Sequence, residues 1–440
     1  MTSGVCLALG DPAGPERKGA SPGLPRLLPA RSAGGPASLA EHLARHGPAA
    51  RTDRSRPDLI GEVAAAGLTG RGGASFPTAR KLAAVAAGRG EPLVIANGTE
   101  GEPASAKDKV LLAREPHLVL DGAALAAAIV GASDAVVVTH RAVSEIVAAA
   151  VEERRAARQD RVRLRVAIAA GTFVGGEASA VANWLQHGVA KPTATPPRLA
   201  ERGVRGAPTL VQNVETLAHL ALIGRHGASW FRAVGTPAEP GSMLVTVTGA
   251  VRRPGVHEIA IGTRGSEILD LAGGPAEPVR ALLLGGYFGS WAPAEARMAA
   301  PFSAAGLAHL AASPGAGLVV ALPFGICGLA ETARVARYLA AESAGQCGPC
   351  VFGLGSIAAE LSALAAGRPA DVRLLRRWLG QVDGRGGCGH PTGAVRLIRS
   401  ALAVFSDEVV QHADGWCCGT AGQAVLPVPS AAAMLKAARS

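Results

Sequence analysis

The chain has 440 residues and a formal net charge of +10, and its composition is 48% hydrophobic but only 3% aromatic. That length predicts about two to four domains, with cores built from small aliphatic side chains. Because aromatic residues are too few for a base-stacking surface and the basic residues form no long run, the composition argues against nucleic-acid binding and leaves an acidic partner protein or an anionic membrane surface open.

The N-terminal sequence does not have the pattern of a secretory signal, since residues 1–9 lack a basic start and are followed at once by Gly10, Asp11 and Pro12. The longest uncharged stretch, residues 298–330, is interrupted by prolines and glycines, so no membrane-spanning helix is predicted. We therefore expect a cytoplasmic protein without a membrane span.

Residues 1–50 are rich in Gly, Pro, Ala and Arg without a sustained period, which predicts a disordered or variable extension. From 51 to 235, short apolar runs alternate with helical patterns, as in βαβ units, and this rhythm predicts an α/β domain with a mostly parallel sheet. The predicted strands are 92–96, 134–139 and 163–168. The predicted helices are 120–130, 143–158 and 178–187.

Two further domains are predicted after residue 240. Residues 240–322 contain a hairpin (243–248 and 256–260, around a turn at 253–255), a short helix at 266–272 and a strand at 281–284, which indicates a small β-rich domain. Residues 325–415 have helical patterns at 328–342, 351–366, 371–382 and 391–412, which favour an α-helical bundle. Residues 416–440 form a C-terminal tail.

A glycine-rich segment at 67–81 is the first candidate binding loop. It contains Gly70, Gly72 and Gly73, whose backbone N–H groups can approach a ligand closely, together with Arg71, Phe76 and Lys81. Positive charge beside a flat apolar ring suits a phosphate attached to an aromatic ring system. A purely structural turn that enters a helix is the alternative for this segment.

Three later loops carry polar groups of the same kind. Asn97, Glu100, Gly101 and Glu102 follow the first predicted strand, where α/β sheets place their ligand sites. Gly176 and Glu177 follow another strand and open a helix. Gln212 and Asn213 offer amide groups in a fourth segment, 208–216. Each segment alone also has a structural interpretation. The segment with Asn97 could be a solvated acidic loop, and segment 208–216 could be a helix-capping region.

Cysteine usage indicates metal or redox chemistry. The chain has seven cysteines, and Cys347 and Cys350 form a Cys-x2-Cys pair. Without a signal peptide, a framework of disulfide bonds is not expected.

These motifs, in this order, resemble the flavoprotein (NADH-binding) subunit of respiratory complex I and its relatives in NAD-linked hydrogenases and formate dehydrogenases. The resemblance covers about 57–415. It includes the glycine-rich loop, the 97–103 loop, Gly176-Glu177, Asn213-Val-Glu-Thr216 and the segment 342–350 with the later Cys388. It implies an FMN-binding α/β domain, a small β-grasp-like (SLBB-like) domain and a C-terminal helical bundle that carries an Fe–S site.

The resemblance also implies roles for residues. Hydride would pass from NADH to FMN, and single electrons would leave through an iron–sulfur cluster to a ferredoxin-like or [2Fe–2S] thioredoxin-like subunit. The protein would then be cytoplasmic or peripheral to a membrane complex on its cytoplasmic face. FMN would be held by Gly70, Arg71, Gly72, Gly73, Lys81, Asn97, Gly101, Gly176, Glu177 and Asn213. Phe76 and Glu102 would contact the nicotinamide nucleotide.

The family's cluster motif is altered in this chain. Ala344 stands at the first ligand position, while Cys347, Cys350 and Cys388 remain. Three thiolates are compatible with a [3Fe–4S] cluster, or with a [4Fe–4S] cluster that takes a fourth ligand from elsewhere. The candidates for that ligand are Cys327, Cys417, Cys418 and His390. There are two alternatives: a degenerate site that holds no cluster, and a site that binds zinc.

The expected NADH contacts are also reduced. Thr99 and Ala178 replace acidic residues of the family pattern, Ala84 replaces an aromatic, and Phe173 replaces a tyrosine. The segment 195–198 reads Thr-Pro-Pro-Arg where the family has Lys-Pro-Pro-Phe. A relay that uses another electron donor and a non-catalytic assembly subunit are therefore the alternative functions.

Overall fold

A four-stranded parallel sheet forms the first domain of the computed structural model, which describes residues 23–29, 35–49, 55–416, 418 and 424–429. Its strands are β1 (Leu93–Gly98), β2 (Asp134–Thr139), β3 (Arg163–Ile168) and β4 (Thr209–Asn213). They lie in the order β3-β2-β1-β4, so the chain crosses over between β3 and β4. Because β1 lies between β2 and β4, the loops after β1 and β4 come together at one edge of the sheet.

Helices cover both faces of this sheet, and the small side chains of α5 and α8 allow these two helices to pack closely in the largest hydrophobic cluster. The helices of the domain are α1 (Leu39–His46), α2 (Arg56–Ala66), α3 (Thr78–Ala86), α4 (Lys107–Arg114), α5 (Pro116–Val130), α6 (Ser144–Ala156), α7 (Ala178–His187) and α8 (Val214–Arg232). The predicted α/β architecture is confirmed, although α5 begins four residues earlier than the pattern indicated.

The second domain has β-grasp topology. Its five-stranded sheet has the order β6-β5-β9-β7-β8, with the first and last strands of the domain, β5 and β9, paired in parallel at the centre. Its elements are β5 (Ser242–Gly249), β6 (Gly255–Ala260), α9 (Gly265–Leu271), β7 (Val279–Leu284), β8 (Ser290–Pro293), α10 (Ala294–Met298), α11 (Ala304–Leu307) and β9 (Leu318–Pro323). The predicted hairpin corresponds to β5 and β6.

The third domain is a helical bundle, as the sequence predicts. Its helices are α12 (Gly328–Ala341), α13 (Gly355–Ala365), α14 (Val372–Val382), α15 (His390–Val404) and α16 (Ser406–Ala413), and a π-helical turn, Pro349–Leu354, leads into α13. The single helix predicted at 391–412 is wrong, because the backbone leaves helical geometry at Phe405 (φ −107°, ψ 36°). The Phe405 ring is fully buried there and meets Trp291 edge-on, with centroids 5.3 Å apart.

Part of the predicted N-terminal extension is ordered, contrary to the expectation for residues 1–50. Helix α1 starts with a Ser38–Glu41 capping box, and His42 contacts Asp121 of α5 at 2.7 Å. The buried Glu258 carboxylate accepts hydrogen bonds from the backbone N–H groups of Arg26 and Leu27, both at 2.8 Å. These partners are distant in sequence, so composition gave no sign of them. Residues 1–22, 30–34 and 50–54 lie outside the described ranges.

The long uncharged stretch of the sequence forms ordinary globular structure. Residues 298–330 contain α11, and they also contain β9, whose six residues are all buried at the centre of the second sheet. Among the residues that the structure describes, no helix combines the length and the apolarity that crossing a membrane requires.

Candidate functional site

A cleft with a volume of about 400 Å³ lies where the loops after β1 and β4 meet. That volume falls within the usual range for cofactor sites. Its walls come from all three domains. The predicted site residues that line it are Gly72, Gly73, Asn97, Glu100, Gly101, Glu102, Gly176, Glu177 and Asn213. Other predicted site residues do not line it, namely Gly70, Arg71, Phe76, Lys81 and Gln212.

The predicted residues outside the wall support the glycine-rich loop or lie beside it. The Gly70 N–H donates to the Phe76 carbonyl at 2.9 Å, which closes the loop, while the Phe76 ring is exposed. Lys81 Nζ donates to the Val211 carbonyl at 3.0 Å and to Gln212 Oε1 at 3.4 Å. Burial lowers the pKa of Lys81, although Glu177 opposes this shift. Lys81 therefore ties the helix after the loop to β4.

Arg71 points away from the cleft and is almost completely buried. Its backbone N–H donates to Thr216 Oγ1 at 2.9 Å, and its Nη1 donates to Thr69 Oγ1 at 2.8 Å. Its Nε and Nη2 atoms have no hydrogen-bond partner among the described residues. Burial lowers the pKa of Arg71, with Glu215 and Glu239 opposing. In this arrangement Arg71 adds positive potential beneath the loop rather than a direct contact at its surface.

Gly72 shapes the floor of the cleft. A Cβ atom at this position would lie 3.4 Å from Asn213 Cβ, so the loop passes directly over the start of α8. Because both Gly72 and Asn213 line the cleft, we expect a longer side chain at position 72 to take up space within it. The glycine at 72 thus leaves a cradle next to exposed backbone, of the kind that accommodates a flat ring or a phosphate.

The loops that follow β1 and β3 are fastened to each other. Asn97 Nδ2 donates to the Gly176 carbonyl at 2.9 Å, and Thr99 Oγ1 donates to Asn97 Oδ1 at 2.9 Å. A Cβ atom at Gly101 would lie 2.8 Å from the Phe173 carbonyl oxygen, so the two loops touch backbone to backbone. Thr99, which replaces the family's acidic residue, fixes the Asn97 amide without adding charge.

A buried polar network supports the floor. Lys107 Nζ donates to Asp108 Oδ1 at 2.7 Å and to Glu215 Oε2 at 2.8 Å. Asn213 Nδ2 donates to Asp108 Oδ2 at 2.7 Å, and Glu215 Oε1 accepts from the Leu244 N–H of β5 at 2.8 Å. Burial opposes the charge of Lys107, but the two carboxylates outweigh it and raise its pKa. The network therefore couples the cleft to the second domain.

Glu100 is an ionised structural group. Burial opposes ionisation, but Lys109, the Ser105 hydroxyl and Lys107 outweigh it and lower the pKa of Glu100. Its carboxylate accepts hydrogen bonds from Ser105 Oγ at 2.7 Å and from the Asp108 and Lys109 N–H groups at 3.0 Å each. These contacts hold the turn that presents Glu102 to the cleft.

Glu102, unlike Glu100, has a carboxylate oxygen that lacks a hydrogen-bond donor among the described residues. Its Oε2 accepts the Tyr287 N–H at 2.8 Å, while its Oε1 is buried without a hydrogen-bond partner among the described residues. Burial, opposed by backbone hydrogen bonds from Tyr287 and Ala104 and reinforced by Glu100, raises the pKa of Glu102 to about 8. A neutral carboxyl that faces the cleft is thus a hydrogen-bond donor available for a ligand.

An aromatic cluster lies on the side of the cleft that Cys388 also lines. The Phe173 ring meets Phe288 edge-on at 4.9 Å, Tyr338 at 5.9 Å and His390 at 5.8 Å between centroids. His390 Nε2 is 2.7 Å from the Leu339 carbonyl, while its Nδ1 is buried without a partner among the described residues. Burial lowers the pKa of His390, so a neutral ring is favoured. Phe173, Phe288 and His390 thus give the cleft wall beside Cys388 an aromatic character.

Cys347 and Cys350 are neighbours, and Cys388 lies near enough to affect the pKa of Cys350. Cys347 and Cys350 share one turn, where the Cys350 N–H donates to the Cys347 carbonyl at 3.1 Å. Burial raises the pKa of Cys350 to about 12, and the nearby Cys347 and Cys388 reinforce this rise. Burial also raises the pKa of Cys388, with contributions from Glu177 and Cys347. Such a group of thiols needs a cationic centre to become a group of thiolates.

Cys327 does not supply a fourth ligand to these thiols. It lies at the N-terminal end of α12, whereas Ala344 and the cysteine motif follow the C-terminal end. The 14 residues of this helix span about 21 Å. Cys418 lies with Cys327, and Cys417 lies outside the described residues. His390 is thus the one sequence-predicted candidate, within the described residues, that lies next to Cys388 at the cleft.

Several wall residues were not predicted from the sequence. The second domain contributes Gly285, Phe288, Ser313, Gly315 and Ala316, and the third contributes Arg396. No local pattern marks them, because their place in the wall depends on how the domains pack. Lys107 and Asp108 also line the cleft, and their position next to the 97–103 loop was the one sequence signal for them.

The chain matches known protein families over each of its three domains. Residues 63–222 match the Nuo51 FMN-binding domain, and residues 244–286 match the SLBB domain. Residues 330–412 match the NADH-ubiquinone oxidoreductase-F iron-sulfur binding region. The matched ranges coincide with the parallel-sheet, β-grasp and helical domains.

Individual proteins are similar to the chain over most of its length. A second form of the NADH-quinone oxidoreductase F subunit, from Rhizobium meliloti, is 31% identical over 384 residues, which cover 82% of this chain and 90% of that protein. The F subunit of Salmonella typhimurium is 30% identical over 390 residues, which cover 82% and 85%. A chain of the air-oxidized NAD+-reducing [NiFe]-hydrogenase is 32% identical, with a TM-score of 0.77 over 91% of this chain and 69% of that chain. The chain therefore belongs to the family of NADH-quinone oxidoreductase F subunits.

Proposed function

We propose that this protein is an electron-input subunit that oxidises NADH with FMN and passes single electrons to an iron–sulfur cluster and then to an iron–sulfur partner protein. The observation that carries this function is the wall shared by the two sites. Cys388 and His390 of the cysteine-bearing domain line the same cleft as Gly72, Asn97 and Asn213. Electron transfer from a flavin to a cluster requires this proximity.

The cleft residues fit FMN. Gly72 leaves a cradle that any side chain would fill, and the Asn97 and Asn213 amides are held in place by Gly176 and Asp108. Arg71 places a buried cation below the loop for a phosphate. When bound, FMN converts a two-electron donor into a source for one-electron carriers. The protein's part is to bind and orient the ring and to exclude water around it.

For the nicotinamide nucleotide, Glu102 is the best-placed group. Its carboxyl is neutral below about pH 8 and has one oxygen without a partner among the described residues, so it is ready to bond an amide or a hydroxyl. Ala84, Ala178 and Arg198 remove other family contacts. Losing stacking and hydrogen bonds worth about 1–3 kcal/mol would weaken NADH binding by roughly tenfold to a hundredfold.

For the cluster, the three thiols of Cys347, Cys350 and Cys388 fit an iron–sulfur centre with one iron in a different environment. Ala344 is buried and has no ligating atom, so it offers nothing at the fourth position. His390 Nδ1 is the nearest chemical alternative, since it is buried without a partner among the described residues. Because position 344 supplies no ligand, these residues favour either a [3Fe–4S] cluster or a [4Fe–4S] cluster whose fourth iron has a non-cysteine ligand.

The partner surface is expected next to the cluster. Val351 and Phe352, which directly follow Cys350, are exposed, with Phe352 at 76%. Arg376 and Arg377 of the adjacent α14 are also exposed. An apolar contact next to basic residues suits an acidic ferredoxin-like or [2Fe–2S] thioredoxin-like subunit. With such a partner, we expect the chain to work in the cytoplasm or in a complex on the cytoplasmic side of a membrane.

Anaerobic titration with NADH tests the function. We expect purified protein to contain flavin, and NADH to bleach the absorbance of both the flavin and the cluster. If the flavin stays oxidised in millimolar NADH and in millimolar NADPH, the physiological electron donor is a different molecule. Protein that is colourless after reconstitution with FMN, iron and sulfide would favour the non-catalytic assembly role.

A further inference from the structure

A second group of metal-binding side chains lies at the far end of α12 from the cluster motif. Cys327 Sγ, a His412 ring nitrogen and Cys418 Sγ all lie within 4.8 Å of one another. Cys327 and His412 are buried at 3% and 1% exposure, while Cys418 is partly exposed. We propose that Cys327, His412 and Cys418 bind a single zinc ion with a structural role, separate from the redox centre.

The donor geometry supports zinc. Cys327 Sγ and His412 Nε2 are 3.8 Å apart. With Zn–S near 2.3 Å and Zn–N near 2.0–2.1 Å, tetrahedral coordination places S and N donors about 3.6 Å apart and two sulfurs about 3.8 Å apart. Only a small contraction around the ion is therefore needed.

The orientation of His412 supports a metal ligand. Its Nδ1 lies 3.2 Å from the Leu364 carbonyl, which fixes the proton on Nδ1. The lone pair of Nε2 then faces Cys327. A backbone carbonyl that holds the distal nitrogen in this way is the usual support for a histidine that binds a metal.

The surroundings of the site also fit zinc in charge. Two thiolates and a neutral imidazole balance a divalent cation, so the bound site has no net charge within the hydrophobic cluster of the third domain. Glu408 lies behind Cys327 and is already neutralised by Arg280 and by the N–H groups of Gly328 and Leu329. Its Oε2 accepts a hydrogen bond from the Cys327 thiol at 3.3 Å, and metal binding would release the thiol proton to solvent.

The ion would join three parts of the chain. Cys327 precedes α12, His412 belongs to α16, and Cys418 belongs to the C-terminal segment. The same segment is held to α12 by Glu331, whose Oε2 accepts the Val425 and Leu426 N–H groups at 3.0 and 2.7 Å. Zinc would thus fasten the C-terminal segment across the start of α12, with a water at the fourth coordination position.

Metal analysis of the full-length chain tests the site. We expect about one zinc per chain by mass spectrometry after growth with added zinc, in addition to the iron of the cluster. Cys418→Ser and His412→Gln should each lower zinc to less than about a tenth per chain while iron is retained. Cys6→Ser is the matched control and should keep both metals. Zinc retained by Cys418→Ser and His412→Gln would overturn the proposal.

Cobalt provides a second readout that needs no variant at the zinc site. In Cys350→Ser protein, where cluster absorption should be lost, added Co²⁺ should give the thiolate charge-transfer and tetrahedral visible bands, and zinc should remove them. Absence of these bands in folded protein, or a Cys327–Cys418 disulfide in the protein as purified, would overturn the proposal. Loss of iron alone would count against the electron-relay function and would leave the zinc site standing.

Discussion

Lys107 Nζ lies 2.8 Å from Glu215 Oε2 beneath the cleft, and both side chains are at most 3% exposed. This ion pair joins α4 to α8, and Glu215 extends the link to Leu244 in the second domain. The pair therefore supports the site from below.

Lys107→Met should be strongly destabilising. It leaves Glu215 and Asp108 buried without their cation, and breaking such a pair costs about 3–5 kcal/mol. Urea denaturation measures the change in unfolding free energy. The control is Arg155→Met, which breaks an exposed ion pair with Glu152 and should cost less than about 1 kcal/mol. Equal effects of the two substitutions would contradict the supporting role of Lys107.

Gly72→Val should abolish FMN binding without unfolding the protein. Its Cβ fits at 3.4 Å from Asn213 Cβ, but the two methyl groups occupy the cleft. We expect bound flavin to fall from about one per chain to less than about a tenth, measured by absorbance after gel filtration. Gly61→Val, in open space on α2, is the control and should keep its flavin. Stoichiometric FMN in Gly72→Val would refute the placement of the flavin.

Cys350→Ser should remove the cluster, because it leaves two thiolates where at least three are needed. Iron and acid-labile sulfide, assayed in protein prepared without oxygen, should both disappear, while Cys6→Ser should retain them. Ala344→Cys should raise iron toward about four per chain, since it restores a thiol at the vacant ligand position. If neither wild type nor Ala344→Cys contains iron and sulfide, the site is vestigial.

Glu102 should make stability depend on pH in a defined direction. Its pKa in the folded protein is about 8, above its ordinary value of 4.5. The folded state therefore binds the extra proton between these values, and the resulting stability is complete below about pH 4.5 and is lost as the pH rises toward 8.

Glu102→Gln keeps a neutral group at this position at every pH, so it should remove the loss of stability that Glu102 causes as the pH rises. In flavin-free protein, the variant should gain stability over wild type with rising pH, by up to about 1.4 kcal/mol per pH unit. Urea denaturation at several pH values measures this difference. Glu277→Gln, at an exposed position, should follow wild type. A constant difference between Glu102→Gln and wild type from about pH 5 to 8 would show that Glu102 stays ionised when buried.

The sequence predicted elements well where the pattern was local. The apolar runs of β1 and β2 were placed to within two residues, because buried parallel strands are short and continuous. The edge strand β3, which is only partly buried, was also placed correctly. The break at Phe405 was missed, because it depends on packing against Trp291 of another domain. The start of α5 was missed although Pro116 is a typical first residue of a helix.

The site was also predicted only in part, because local sequence patterns mark some of its residues and not others. The loops after β1, β3 and β4 bring Asn97, Gly176 and Asn213 together, as the position of ligands in α/β sheets implies. The inward position of Arg71 and the contributions of Phe288 and Arg396 depend on tertiary packing. The types and spacing of the residues do not predict that packing.

The wall that three domains share has a consequence for biosynthesis. Because ribosomes release the chain from its N-terminus, the glycine-rich loop emerges long before Arg396, the last residue of the wall. A nascent chain that ended after β4 would present half a cleft, open to water on the side that Phe288 and His390 later cover. Flavin insertion is therefore expected to follow completion of the helical domain, and release of the finished polypeptide would precede its loading with the prosthetic group.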